Sequence, residues 1–131
     1  MSDRAAKQQR NLDFCTRMYT DMLMKFDPTL VDTFIAPDYI QHSTAASEGR
    51  EGLRAFLDNR REGFPEVEVR IVNSFADGDF CIFQIHTTRF PGDPGMAIVD
   101  VFRMSEVGQV QEHWEVLQEI PSKLSHANGM F

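Results

Sequence analysis

The segment FPGDPGMAIVDVFRM, residues 90–104, joins a turn to an apolar run. Its first half is rich in Pro, Gly and Asp, which favour turns, and its second half is rich in residues typical of strands. Alternation along this strand places Asp100 on the same face as Ile98 and Phe102. A buried carboxyl group is costly unless it is neutral or hydrogen-bonded. The segment therefore predicts a strand in which Asp100 is a buried acid with a functional role.

Apolar residues alternate in the same way in other segments after residue 65, and turn-forming residues separate the segments. The four segments are EVEVRIVNSF, DFCIFQIHTTRF, GMAIVDVFRM and QVQEHWEVLQEI. They predict four strands in an antiparallel sheet over about residues 66–120. An extended tail is expected over residues 121–131.

Before residue 65 the apolar residues recur every three or four positions, which is typical of amphipathic helices. The spacing predicts three helices over about residues 4–63: a long first helix at 4–26, a short second one in PTLVDTFI, and a third that ends at Gly63. The connection before the third helix could include a short extended piece, DYIQH. This order predicts an α+β fold, with residues 1–131 forming a single domain.

Composition excludes several classes of partner. The net charge of −7 argues against binding to nucleic acid or to an anionic membrane surface. No apolar run approaches the roughly 20 residues that span a bilayer, and the N-terminus lacks the apolar core of a secretory signal. Cys15 and Cys81 have no paired spacing, so both are expected to be reduced and buried. A cytoplasmic protein is expected.

Four pieces of the chain, taken in order, carry a resemblance to a known family. They are YIQH (39–42), GREGLRAF (49–56), IVDVFRM (98–104) and GQVQEHWEVLQ (108–118). With the helix order they resemble the SnoaL-like polyketide cyclase branch of the nuclear-transport-factor-2-like superfamily. The resemblance implies a cone-shaped, curved antiparallel sheet that, together with three N-terminal helices, encloses an apolar pocket.

The resemblance also implies a chemistry, because the superfamily includes ketosteroid isomerase and polyketide cyclases. We expect cofactor-free enolisation of a small apolar carbonyl-containing molecule, of the isomerase, aldol cyclase or lyase type. Two other functions fit the same features. One is a binding module that holds an apolar or acyl ligand without turnover, and the other is a dimeric protein without catalysis.

Three residues are candidates for catalysis. The resemblance to ketosteroid isomerase places Asp100 at that family's oxyanion-hole acid and His42 close to its general base. Apolar surroundings favour a neutral carboxylic acid, which can donate a hydrogen bond to a developing enolate. His113 faces the same side from the next strand and would orient Asp100 or relay a proton. A structural Asp100–His113 pair and a surface His42 are the alternatives.

Further side chains are expected to contact the substrate. They are Tyr39, His86, Met18, Tyr19, Phe102 and Glu115. Met18 stands where the isomerases carry a tyrosine that donates to the oxyanion, and neither Tyr19 nor Tyr39 aligns with that tyrosine. No metal or other cofactor is expected, because the four histidines lack the spacing of a metal motif. A site assembled from His42, His86 and His113 stays open.

The face of the sheet opposite Asp100 also carries apolar residues. Val99, Val101, Val110, Val116 and Trp114 share it, although a sheet with one wet side usually alternates cleanly. We therefore expect a homodimer formed through this outer face. Coverage by the N- or C-terminal segment is the alternative.

Overall fold

Five strands form one open sheet in the order β1-β5-β4-β3-β2. A computed structural model describes residues 2–131. Its helices are α1 (Asp3–Met18), α2 (Val31–Phe34) and α3 (Gly49–Gly63), and its strands are β1 (Ile35–Gln41), β2 (Glu68–Asp77), β3 (Phe80–Thr88), β4 (Met96–Met104) and β5 (Val110–Glu119). Helix α1 packs against β2 and β3, and α3 packs against β1. The predicted α+β class is confirmed.

The sheet differs from the prediction at β1, which is a seven-residue strand rather than a short extended piece. It pairs with β5 in parallel, while β2, β3, β4 and β5 pair antiparallel as expected. The sheet is therefore mixed. The segment IAPDYIQ contains Pro37 and no clean alternation over its full length, so its pattern is a poor predictor of a strand. The pairing matters because it places Gln41 beside His113.

The first helix is also shorter than predicted. Helix α1 ends at Met18, and residues Tyr19–Leu23 continue it as one π-helical turn. A π-helical turn holds more residues than an α-helical turn, so it changes the face on which the following side chains lie. The Tyr19 ring lies at this change, is only 2% exposed and packs against Phe83 and Phe102 of the sheet.

The core lies between the helices and the inner face of the sheet. Cys15 and Cys81 belong to it, and both are free and buried, in agreement with the sequence. The Cys15 thiol donates to the Met104 sulfur at 3.5 Å. No helix within residues 2–131 is long and apolar enough to cross a membrane.

The strand register brings the polar residues of the inner face together. Asp100 of β4 lies directly opposite Glu115 of β5, and Phe102 lies opposite His113. On the other side of Asp100, β3 contributes the fully buried Phe83. The inner face thus presents two carboxyl groups and one imidazole within an otherwise apolar surface.

Candidate active site

A cavity that is partly open to solvent lies between the helices and this inner face. Its apolar wall includes Met18, Met22, Ile35, Leu53, Phe56 and Phe102. Its polar groups are Tyr39, Gln41, Ser43, Asp100, His113 and Glu115. Because the polar groups cluster on one wall, the cavity has an apolar side for a ligand body and one patch capable of proton chemistry.

Asp100 is held from two sides at the base of the cavity. Its Oδ2 atom accepts a hydrogen bond from the Tyr19 hydroxyl, and its Oδ1 atom lies 2.8 Å from Nε2 of His113. The imidazole of His113 stacks on the Phe102 ring, with 4.7 Å between the ring centres. Burial raises the pKa of Tyr19 well above its ordinary value, so the phenol keeps the proton that it donates. Both oxygens of this buried acid therefore have partners.

Gln41 determines where His113 carries a proton. The Ser43 backbone N–H donates to the Gln41 Oε1 atom at 3.0 Å, which fixes the orientation of the amide. That same oxygen lies 2.8 Å from Nδ1 of His113, so Nδ1 must be the N–H that donates. One proton then remains between Nε2 and Asp100.

The amide of Gln41 also leaves Tyr39 with a free proton. Its Nε2 group donates to the Tyr39 hydroxyl oxygen at 2.8 Å. The Tyr39 hydroxyl proton has no acceptor among the described residues. Burial raises the pKa of Tyr39, so the hydroxyl stays protonated in the physiological range. Tyr39 can therefore donate a hydrogen bond to an oxygen atom that enters the cavity.

Glu115 is the carboxyl group with an open oxygen. Its Oε1 atom accepts from the Ser43 hydroxyl at 2.8 Å, and no N–H or hydroxyl donor of the described chain contacts Oε2, although the carboxyl group of Asp100 lies close beside this side chain. Burial, and then the negative charge of Asp100, raise the pKa of Glu115 above its ordinary 4.5. A carboxylate that holds a proton more tightly is a stronger base. Glu115 is therefore the group best placed to exchange a proton with a ligand.

The family is settled by a comparison with family models. The model described as a SnoaL-like domain matches residues 16–113. The chain belongs to the SnoaL-like family. No curated protein is similar enough to this SnoaL-like chain to count as a relative.

Solved structures agree with this assignment. A proposed SnoaL-like polyketide cyclase from Jannaschia sp. CCS1 is 26% identical, with a TM-score of 0.70, and the match covers 89% of this chain and 91% of that one. IdmH, a proposed polyketide cyclase from Streptomyces antibioticus, is 20% identical (TM-score 0.67; coverage 82% and 91%). A proposed isomerase of the SnoaL-like family from Agrobacterium tumefaciens C58 is 17% identical (TM-score 0.65; coverage 86% and 98%). The last two matches show the fold alone.

The structure of this SnoaL-like chain does not bring His42 into the cavity. His42 follows Gln41 directly and so lies on the opposite face of the sheet. Its ring stacks on Trp114, with 5.0 Å between centres, and its Nε2 atom lies 2.6 Å from the Glu112 carboxylate. The sequence predicted that His42 lies near the position of the general base in the isomerases. The prediction is wrong about the direction of the side chain, because alternation after Gln41 turns His42 to the outer face.

His86 also lies outside the cavity. Its Nε2 atom is 2.8 Å from the carbonyl oxygen of Pro94, and its ring packs against Phe131. The remaining candidates do line the cavity or its continuation: Met18, Tyr19, Tyr39, Asp100, Phe102, His113 and Glu115. Gln41 and Ser43 were missed, although alternation in YIQH pairs Tyr39 with Gln41 and separates both from His42.

A metal site remains chemically compatible with three of these residues. Asp100, His113 and Glu115 each offer one ligand atom, and the three atoms lie within 4.8 Å of one another. This set replaces the His42–His86–His113 combination, which the structure separates. In the described arrangement the His113 Nε2 and Asp100 Oδ1 atoms already bind each other, so an ion would have to break that contact.

Proposed function

We propose that this SnoaL-like protein enolises a small apolar carbonyl compound without a cofactor, with Glu115 as the base. One observation carries the proposal: a half-buried carboxylate with an open oxygen and a phenol with a free proton line the same apolar cavity. Family membership supports a cofactor-free function of the cyclase or isomerase type. The base is therefore Glu115 rather than His42.

The proposed reaction has two steps. Glu115 Oε2 takes a proton from the carbon next to the carbonyl, and the C–H electron pair moves to form an enolate. The Tyr39 hydroxyl donates to the enolate oxygen, a role that the sequence had suggested for Asp100. Return of the proton to another carbon completes an isomerisation. In an aldol ring closure the enolate carbon instead attacks a second carbonyl of the same molecule, and the alkoxide that forms on that carbonyl oxygen takes up the proton held by Glu115.

In this proposal Asp100 and His113 position other groups rather than contact the reacting atoms. Asp100 raises the proton affinity of Glu115 through its charge. His113 donates to Gln41, which in turn holds the Tyr39 hydroxyl. The apolar walls exclude water, and this strengthens the hydrogen bond to the enolate oxygen.

Deuterium exchange into 2-tetralone tests the proposal, since this apolar ketone has acidic protons next to its carbonyl. We expect the protein to accelerate exchange in D₂O above the buffer rate, as followed by proton NMR. The rate should be the same with and without EDTA, and loss of exchange in EDTA would contradict a metal-free mechanism. Binding of 2-tetralone without faster exchange would favour the binding-module alternative.

The substitution Tyr39→Phe tests the proton donor. We expect it to lower the exchange rate by about 10²-fold, because one hydrogen bond to the enolate oxygen is lost. Tyr19→Phe is the matched control, since it removes a buried hydroxyl that contacts Asp100. It should mainly lower stability, by about 1–3 kcal/mol in urea denaturation. Equal rate losses in the two variants would contradict the role given to Tyr39.

We further propose that the outer face of the sheet pairs with a second copy of the chain. The register aligns Phe75, Ile82, Val101 and Trp114 in one row across four strands. The neighbouring row on this face includes Val116, which is 73% exposed, and Phe75 is 57% exposed. An apolar face of this kind is typical of a surface that another protein surface covers.

The substitution Val116→Glu tests the dimer. We expect the wild type to sediment as a dimer of the 15.0 kDa chain and the variant to sediment largely as the monomer. The substitution would place a carboxylate from each copy in an apolar interface, where an unpaired charge is costly to bury. Val107→Glu is the control, because Val107 is 85% exposed but lies in the turn after β4. A monomeric wild type would contradict the proposal.

A further inference from the structure

The candidate active site continues into a second cavity that is also partly open to solvent. The two cavities adjoin, since Asp100, Glu115 and Phe56 line both. The second cavity runs past the apolar side chains of Val69 and Ile98. The two carboxyl groups therefore lie in the middle of a longer cleft, and a ligand that reaches them can extend in two directions.

Arg60 lines this second cavity from the last turn of α3. Its guanidinium carbon lies 5.4 Å from the ring centre of Phe56 and 5.6 Å from that of Phe64. These residues are four positions before and four positions after Arg60, so all three side chains share one face of the helix end. Contact with two aromatic faces holds the guanidinium in place without using its N–H donors.

No carboxylate of the described chain pairs with Arg60. Its guanidinium has no hydrogen bond and no salt bridge within residues 2–131. Arg89, the other cation that lines this cavity, differs: Asp93 and Glu119 both bind it. Arg60 is thus a positioned cation beside an apolar cleft in a chain of net charge −7.

We propose that Arg60 binds the carboxylate end of an apolar ligand whose body lies in the second cavity. A planar guanidinium binds a carboxylate through two parallel hydrogen bonds, and it does so more strongly where apolar walls exclude water. The Glu115 carboxylate repels an anion, whereas the charge of Asp100 is compensated by its His113 partner, so one orientation is left for such a ligand. Its carboxylate contacts Arg60, and its uncharged part points toward Glu115.

This inference deepens the proposed function, because it makes the substrate an apolar keto acid. The carbonyl part rests on the role proposed for Glu115. The carboxylate part rests on Arg60 alone, so the two parts can fail separately.

Isothermal titration with 1-naphthylacetate and 1-naphthylacetamide tests the carboxylate site. The two probes share one bicyclic body and differ in charge. We expect the wild type to bind the acid about tenfold more tightly than the amide. Arg60→Gln should bind both probes with the affinity of the amide. Raising the salt concentration should reduce the preference for the acid in the wild type only.

Arg17→Gln is the matched control. Arg17 also lies over an aromatic ring, that of Phe14 at 5.7 Å, but on α1 and outside both cavities of the cleft. This variant should keep the full preference for the acid. The proposal would be overturned if the wild type bound both probes equally or bound neither. It would also be overturned if Arg60→Gln weakened the binding of both probes equally, or if Arg17→Gln lost the preference for the acid.

Exchange of neutral 2-tetralone separates this proposal from the proposed function. This ketone has no carboxylate to contact Arg60, so its exchange by the wild type reports on Glu115 alone, and Arg17→Gln should keep the wild-type rate. If the wild type prefers 1-naphthylacetate but does not accelerate exchange of 2-tetralone, the result would support the carboxylate site at Arg60 and contradict the role of Glu115 as the base.

Discussion

Glu115→Gln is expected to lower the exchange rate of 2-tetralone by about 10³-fold. General base catalysis by a positioned carboxylate contributes about 10²–10⁴-fold, and an amide cannot accept the proton. The amide matches the carboxyl group in size and can still accept a hydrogen bond from Ser43 through its oxygen. The loss should therefore appear in kcat, with little change in the affinity for the ketone.

The pH dependence of the wild-type exchange rate should also identify Glu115 as the base. Exchange requires ionised Glu115, so the rate should fall as the pH decreases through the pKa of this residue. Because burial and Asp100 raise that pKa, the fall should be centred above the ordinary value of 4.5. A fall centred at or below 4.5 would mean that another, more exposed carboxyl group is the base.

Stability provides the control for Glu115→Gln. A carboxyl group whose pKa is raised by folding favours the folded state at low pH and loses that contribution as the pH rises through its folded pKa. At pH 8 the variant should therefore unfold at a higher temperature than the wild type, by a few degrees (roughly 3 °C per kcal/mol). The difference should disappear below pH 4. If Glu115→Gln is instead less stable than the wild type at pH 8, ionisation of Glu115 does not lower the stability of the folded state.

The sequence predicted the sheet well where each strand alternates cleanly. Alternation within each strand, together with the family resemblance that relates one strand to the next, placed Asp100, His113 and Glu115 on one face, and the register confirms that Asp100 and Glu115 are neighbours. This prediction succeeded because the direction of a side chain in a strand depends only on parity. The same rule, applied to YIQH, would have separated His42 from Tyr39.

Two features of the site could not be predicted from local patterns. The π-helical turn that begins at Tyr19 depends on how the end of α1 packs against the sheet, and the helix pattern is the same with or without it. The parallel pairing of β1 with β5 joins residues about 72 positions apart, such as Gln41 and His113. The tyrosine donor to Asp100 and the amide that orients His113 both come from these two features.

Asp100→Ala is expected to destabilise the fold by about 3–5 kcal/mol. The substitution leaves the Tyr19 hydroxyl and His113 Nε2 buried without a partner. Asp77→Ala is the control, because the Asp77 side chain is 83% exposed and pairs only with Arg4 at the surface. Its effect should stay below about 1 kcal/mol. Guanidinium chloride denaturation measures both.

A double variant tests whether the stability lost in Asp100→Ala comes from the hydrogen-bond partners that the substitution leaves unpaired. If the cost of Asp100→Ala comes from orphaned partners, adding Tyr19→Phe removes one orphan, so the double variant should lose less stability than the sum of the two single variants. The difference should be about 1–2 kcal/mol, because the two side chains are in direct contact. If Asp100→Ala is instead as stable as Asp77→Ala, Asp100 has no net stabilising contacts in the folded state. The contribution of Asp100 would then be its negative charge, which raises the pKa of Glu115.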